Sequence, residues 1–486
     1  MTGGSSNTLW DAGDAARATG GENSAPWSAK GVSIDTRTLA VGDLFVALGG
    51  PNFDGHDFVA QAAANGAAAA VVERRRMEGL SGSVPGLALL GVDDTMAALQ
   101  DLAAAARARS GARIIGVTGS VGKTGTKEAL RLALGGQGRV SATDGNLNNH
   151  WGLPLSLARM PAEADFGIFE MGMNHPGEIA PLSQLARPQV AVITEIAHVH
   201  SEFFDSLDAI ADAKAEIFTG LETDGAAVLN RDSDKFPRLA EHARNGGVGR
   251  IISFGADAGA DVRLLDCEMS EEGSTVRADC LGETVDYRLG VPGRHWVSNS
   301  LAVLAAVRAA GADVARGARE LVHMRSLKGR GERHRLPVAG GEFVLIDESY
   351  NASPPSMTAA IRVLAQAEPA GAGRRVAMLG DMLELGDRAE PLHAALAETL
   401  RECGIDQVFT AGQHMSVLWD KLPAAMRGGH ASTAAKLVPM ATVAVRDGDV
   451  VMVKGSLGSR MGQVVDALLA MDGDAAGDAP KVVNGE

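Results

Sequence analysis

The sequence predicts an α/β protein of three domains: a small N-terminal α/β domain, a central domain whose parallel sheet carries a phosphate loop, and a C-terminal Rossmann-like domain. Three observations lead there. With 486 residues the chain is too long for one ordinary core, and about two to four domains are expected. Short apolar, β-branched runs alternate with alanine-rich helical stretches over most of its length, the pattern of βα units. The composition shifts near "RARSGAR" and again at the charged stretch "LKGRGERHRL" (327–336). The expected boundaries are 1–108, 109–326 and 327–472. Residues 473–486, acidic and rich in Gly, Pro and Ala, are expected to form a disordered tail.

In the first domain short strand-like runs alternate with alanine-rich helices through "DLFVALGG", "FVAQAAANGAAAAVVE" and "GLALLGV", and the Ala-rich "MAALQDLAAAARARSGA" closes it. The central domain opens with "RIIGVTG" and continues through "DFGIFEMG", "QVAVITEIAH", "GAAVLN" and "RIISFG". Such continuous apolar runs read as parallel strands covered on both faces. "DVRLLDCEMSEEGSTVRADCLGETVDYRLG" instead has polar turns and reads as antiparallel, followed by the helix "VSNSLAVLAAVRAAG". In the third domain "EFVLIDESY", "RRVAMLGDM", "DQVFTAGQ" and "DVVMVKGS" alternate with helices.

Composition narrows the function. Apolar residues make up 45% and aromatics 4%, as suits tightly packed α/β layers. A formal charge of −15 with no basic run argues against nucleic acid as a partner. Cys267, Cys280 and Cys403 have no metal-ligand or disulfide spacing and read as packing residues in a reducing compartment. No run approaches the ~18 apolar residues of a membrane span. The start lacks a basic segment followed by an apolar one, so a cytoplasmic protein is expected.

"GVTGSVGKTGTKEAL" (116–130) sits between a β-branched strand and a good helix former. There, backbone N–H groups and the helix N-terminus attract phosphate. The usual G-x-x-x-x-G-K-[ST] pattern wants glycine where Val117 stands. The physics survives: Gly119 to Gly125, including Ser120, Val121 and Gly122, can wrap a triphosphate. Lys123 reaches the β- and γ-phosphates, and Thr124 offers a hydroxyl to Mg²⁺. The bland alternative is a glycine-rich turn with a chance Lys-Thr.

Further chemistry falls where neighbouring strands end, the usual place for ligands in open α/β sheets. Glu170 terminates "DFGIFE" and is a candidate for the Mg²⁺ shell, the alternative being a solvated acid. His198 and His200 follow the next strand, and spacing does not choose between them. In "DSLDAIADAKAEIF" the stripe Leu207, Ile210, Ala211, Ile217, Phe218 places Lys214 on the buried face. A lysine there either snorkels or keeps a neutral, chemically used amine.

These motifs, taken in order over about residues 30–461, resemble the Mur ligase family of peptidoglycan synthesis. The family's loop is spelled T-G-x-x-G-K-[TS], as "TGSVGKT" is here. The resemblance implies that Glu170 in "FEMGMNHPGEI" binds Mg²⁺ and that Lys214 is carbamylated. It places a conserved histidine 14 residues before that lysine, which selects His200. Two Mg²⁺ ions follow: one on Thr124 and Glu170, one on His200 and the Lys214 carbamate. "GRHWVSNSLAVLAA" places Asn299 near the nucleotide, and "GRGERH" supplies Arg330 for the phosphates. "DESYNASPPSM" resembles the D-x-Y-N-A-N-P signature of the branch that adds D-alanyl-D-alanine. It implies that Asp347, Tyr350 and Asn351 line the ATP site, although Ser353 stands where that signature has Asn. Ser33, Asp35, Thr36 and Arg37 in "VSIDTRT", with Asn146, Asn148, Asn149 and His150 in "GNLNNHWGLPLSL", are the implied contacts to UDP-MurNAc-tripeptide. A monomer is expected.

The implied reaction is ATP-driven amide ligation through an acyl phosphate, with Lys123, Glu170, His200, Lys214 and Arg330 as catalytic residues. D-Ala-D-Ala would be the acceptor amine. Other ligases of the superfamily, a different Mur ligase or a folylpolyglutamate synthase, are the first alternative. The missing D-N-P-R motif and the presence of "SYNAS" speak against them. A phosphate-loop NTPase switch is the second. It predicts hydrolysis without an acceptor and leaves Lys214 unexplained.

Overall fold

The computed structural model describes residues 8–50, 53–197, 203–270, 272–326, 328–471 and 481–482. Three sheets organise them. The central one has nine strands in the spatial order Val140–Ala142, Phe166–Glu170, Arg113–Thr118, Val190–Ile193, Ala226–Asn230, Arg250–Gly255, Val262–Met269, Ser274–Cys280, Glu283–Leu289. The first seven are parallel, and the last two continue antiparallel, as the polar turns foretold.

The apolar runs are continuous because successive side chains point to opposite, equally buried layers. Ile115, Val117, Val190, Val192 and Val228 pack under the helices Lys123–Gly135 and Arg294–Ala309. Their neighbours Ile114, Ala191, Ile193, Ala227 and Leu229 pack under Gly152–Ala158, Ile179–Ala186 and Leu207–Ala215. No helix among the described residues is long and apolar enough to cross a membrane.

The N-terminal sheet runs Glu22–Asn23, Ala88–Val92, Ala69–Glu73, Asp43–Val46, Gly31–Ser33, all parallel except the first. It is tied to the central domain by Trp10 Nε1, which donates to the Ala158 carbonyl (2.9 Å), and by Arg159 Nε, which donates to the Val32 carbonyl (2.6 Å).

The third sheet runs Arg427–Ala431, Gln407–Ala411, Arg375–Gly380, Val450–Lys454, Gly341–Glu348, Glu332–Val338, Lys481–Val482. Its first five strands are parallel. Glu332–Val338, which begins inside the charged stretch at the domain boundary, is an antiparallel strand on Gly341–Glu348. The expected disordered tail contains one ordered piece: Lys481–Val482 pairs with Arg335 and His334. An edge strand offers unpaired N–H and C=O groups to any short segment that reaches it. Residues 473–480 and 483–486 lie outside the described residues.

The cysteines are free, and burial pushes the Cys280 thiol up to about 12, which suits a packing role.

Ser353 explains its own departure from the signature. It is the N-cap of helix Pro354–Gln366, with extended φ −143° and ψ 160°. Its N–H donates to Ser356 Oγ (2.8 Å), and the two hydroxyls lie 3.1 Å apart. Asn and Ser are equally good at that position. Ser353→Asn is therefore expected to unfold with wild-type stability, while Ser353→Ala loses about 1 kcal/mol in calorimetry. Equal losses in both variants would contradict the capping role.

Candidate active site

The phosphate loop joins strand Arg113–Thr118 to helix Lys123–Gly135. Two glycines are required by conformation as well as space. Gly119 has φ +145° and a Cβ there would overlap the Thr194 hydroxyl; Gly122 has φ +88° and lies against the Asn299 amide. Gly125 admits the Trp296 ring, so helix Arg294–Ala309 closes directly on the loop.

Thr194, which sequence reading missed, braces the loop from just beyond the strand Val190–Ile193: its hydroxyl reaches the carbonyls of Val121 (2.6 Å) and Thr118 (3.2 Å). Ser120 N–H donates to the Glu195 carbonyl at 2.7 Å. Ser120 Oγ is buried and has no hydrogen-bond partner among the described residues. Burial pushes the Glu195 carboxyl up, although Ile196 N–H and Asn230 Nδ2 donate to it.

Lys123 Nζ donates to the Gly119 carbonyl (2.8 Å) and, more weakly, to that of Ser120 (3.4 Å). Desolvation pushes its ammonium below the ordinary value; Arg330 adds to the shift and Glu170 opposes it. Arg330, from the third domain, thus lies within the electrostatic reach of the loop. Its guanidinium stacks 4.3 Å over the Tyr350 ring. Asp347 is 3% exposed and holds that arrangement: its carboxylate receives the N–H of Gly329 (3.1 Å) and of Ser349 (2.9 Å). Asn351 contributes its carbonyl to the buried Lys454 at 2.9 Å.

Glu170 ends strand Phe166–Glu170, opposite Val117 in register, and is 2% exposed. Thr124 Oγ1 donates to its Oε2 at 3.0 Å, and Asn148 Nδ2 to its Oε1 at 2.7 Å. Its own N–H donates to Thr143 Oγ1 at 3.2 Å. The donor set fits a magnesium nucleotide: two hard oxygens at the loop, an orphan hydroxyl, and N–H groups at a helix N-terminus. Among the described residues no group of three or more His, Cys, Asp or Glu is gathered for a metal. Nucleotide-bound Mg²⁺ takes only one or two carboxylates, phosphates and water supplying the rest, so the Thr124–Glu170 pair fits it.

Lys214 is 1% exposed, on the face the helical stripe indicated. Desolvation pushes its amine well below the ordinary lysine value and Lys123 adds to this, while Glu170, Glu216 and Glu178 oppose it. Glu216 is itself engaged, receiving N–H groups of Gly177, Ile179 and Ala180 at 2.6, 3.1 and 3.1 Å. His198 and His200 lie outside the described residues.

The expected muropeptide contacts divide. Ser33 is fully buried and its hydroxyl donates to the Asp35 carbonyl (3.0 Å), so it shapes its loop from within. Asp35 pairs with the exposed Arg37 at 2.6 Å, and that hydrogen bonding holds its carboxyl below the ordinary value. Thr36 gives its carbonyl to Asn65 Nδ2 at 2.7 Å. In the second segment Asn146 and His150 are exposed, whereas Asn148 is spent on Glu170 and Asn149 Oδ1 accepts from Gly152 N–H at 2.9 Å. Lys127 was also missed. It lies one helical turn after Lys123, and only the tertiary structure reveals that it is buried.

Similarity to known proteins follows the same three-part division. Residues 28–107 match the model "Mur ligase family, catalytic domain", 117–307 the "Mur ligase middle domain", and 329–457 the "Mur ligase, glutamate ligase domain". The UDP-N-acetylmuramoyl-tripeptide--D-alanyl-D-alanine ligase of Escherichia coli K12 is 36% identical over 440 residues, covering 90% of this chain and 93% of that protein. The Bacillus subtilis 168 protein of the same name is 37% identical over 449 residues, with the same coverage. Among solved structures, MurF from Acinetobacter baumannii superposes with a TM-score of 0.81 at 31% identity, covering 94% of this chain and 98% of that one. MurF of Thermotoga maritima in complex with ADP gives 0.74 at 28% identity, covering 92% and 98%. With three family domains in order and relatives matched over nearly their whole length, the chain belongs to the Mur ligase family.

Proposed function

We propose that this chain joins D-alanyl-D-alanine to UDP-N-acetylmuramoyl-tripeptide with cleavage of ATP to ADP and phosphate, giving the pentapeptide precursor of peptidoglycan. One observation carries the reading: the buried Glu170 carboxylate is hydrogen-bonded on one side to Thr124 of the phosphate loop and on the other to Asn148. The phosphate loop and the segment proposed to face the muropeptide therefore share one carboxylate. Full-length relatives that carry this activity in their names support the choice of substrates.

A carboxylate is a poor electrophile and hydroxide a poor leaving group, and phosphorylation repairs both. A terminal carboxylate oxygen of the tripeptide attacks the γ-phosphorus and ADP leaves. The amine of D-Ala-D-Ala then attacks the acyl carbon, the bond from that carbon to the bridging oxygen breaks, phosphate departs with that oxygen, and one amine proton is released. The protein's work is positioning and charge neutralisation. The Gly119–Gly122 backbone and the helix N-terminus receive the phosphates. Lys123 and Arg330 offset γ-phosphate charge, and Arg330 is kept in place by Tyr350 and Asp347. Asn299 lies against Gly122 of the loop, beside the proposed nucleotide site. Thr124 and Glu170 would hold Mg²⁺, which when bound neutralises the phosphates and polarises them toward attack.

Lys214 is the proposed carbamate. A neutral amine is required to attack carbon dioxide, forming the N–C bond and losing a proton, and burial shifts the Lys214 amine towards that form. The resulting carboxylate, with His200, is the proposed holder of a second Mg²⁺. Drawing the domains together around the site would shield the acyl phosphate from water.

ADP release is expected only when both UDP-MurNAc-tripeptide and D-Ala-D-Ala are present with ATP; turnover that ignores the dipeptide would overturn the assignment. Lys214→Ala is expected to lose activity by about a hundredfold, with partial recovery on adding acetate or formate in place of the carbamate. Full activity of that variant without any added carboxylate would remove the carbamate from the scheme.

A further inference from the structure

The structure buries one more charge beside the site. Lys127 is fully buried on helix Lys123–Gly135. Its Nζ donates to the Thr143 carbonyl at 2.6 Å and to the Gly145 carbonyl at 3.3 Å, and lies 3.0 Å from Glu128 Oε1. The two carbonyls flank Asp144 at the entrance to the Asn146–His150 segment. Gly145, with φ +52°, turns the chain there. Beyond the turn Asn148 is fixed at both ends: its Nδ2 donates to Glu170, and its carbonyl accepts from Gly172 N–H at 2.8 Å. From the opposite side the Arg159 guanidinium stands 3.6 Å from Asp144 while its Nε holds the Val32 carbonyl at 2.6 Å, at the strand leading into Ser33–Arg37.

A buried ammonium is a costly way to fill space, and an apolar side chain of the same length would pack the helix as well. Its two carbonyl partners require a donor that reaches both, and Glu128 beside it balances the charge. We propose that Lys127 is a positioning residue, clamping the 143–149 turn onto the phosphate-loop helix. Folding of the nucleotide loop then sets where Asn148 meets Glu170 and where the exposed Asn146 and His150 face the muropeptide. With Thr143, Gly145 and Glu128 as its partners, Lys127 acts through the turn. The inference rests on the ligase reading above for its kinetic consequence, but not for its structural one.

The test uses full-length Lys127→Met and Lys127→Arg. In Lys127→Met, KM for UDP-MurNAc-tripeptide is expected to rise about tenfold to hundredfold while KM for ATP changes by less than about threefold. Lys127→Arg, which keeps a donor, recovers part of the loss. Combined with Asn148→Ala, the effect of Lys127→Met is expected to be less than multiplicative, because both act through one turn. Amide hydrogen exchange supplies a reading independent of activity: residues 143–149 exchange faster in Lys127→Met and the strand Arg113–Thr118 does not. An unchanged tripeptide KM, or equal losses for both substrates together with uniform acceleration of exchange, would overturn the clamp. Failure of the wild type to show dipeptide-dependent turnover would strike the ligase reading instead and leave the exchange experiment to decide the clamp.

Discussion

The site depends on one buried carboxylate at the end of one strand. Glu170 is carried out of an otherwise apolar run to the carboxyl edge of the sheet and is almost completely shielded from water there. A charge in that position is tolerable only if it is paired or fully hydrogen-bonded. Thr124 and Asn148 supply the bonds, one from the phosphate-loop helix and one from the segment that follows the next strand. The requirement that this carboxylate be satisfied therefore fixes two elements from opposite sides, and a magnesium nucleotide would complete it.

The same logic extends outward through three buried lysines. Lys127, Lys214 and Lys454 are each nearly or fully inaccessible. Lys127 holds two loop carbonyls, and Lys454 holds Glu348 (3.1 Å) and the Asn351 carbonyl below the "SYNAS" segment. Lys214 differs, because burial and Lys123 drive its amine towards the neutral form. An apolar core would be cheaper to fold. Buried lysines at these places are better understood as geometry and chemistry purchased with stability.

Much of this was legible in the chain. "GAAVLN" and "DVVMVKGS" announce strands because both faces are buried and the apolar run has no polar interruption. The phosphate loop, Glu170 and Lys214 could be found because a charged or glycine-rich string interrupts strong periodicity. Other parts were not legible, for physical reasons. The strand Arg427–Ala431, "RGGHA", has no strand-like composition; its glycines make room for the Phe409 ring of the adjacent strand. Glu332–Val338 gives no strand signal in sequence because a strand near the rim of a sheet can keep charged residues facing water. Asn148 and Asn149 read as ligand contacts because polar loop residues look alike in sequence, whether their amides face solvent or a neighbour. Lys127 gives no local signal, since its partners lie 16 and 18 residues away across a turn.

The central claim, that the γ-phosphate of ATP is spent on a carboxylate held beside Glu170, has a direct test in the fate of oxygen. UDP-MurNAc-tripeptide labelled with heavy oxygen in its terminal carboxylate is turned over with ATP and D-Ala-D-Ala, and the released phosphate is weighed by mass spectrometry. An acyl-phosphate route predicts one labelled oxygen transferred to each phosphate. Phosphate carrying no label while the amide bond forms would contradict it.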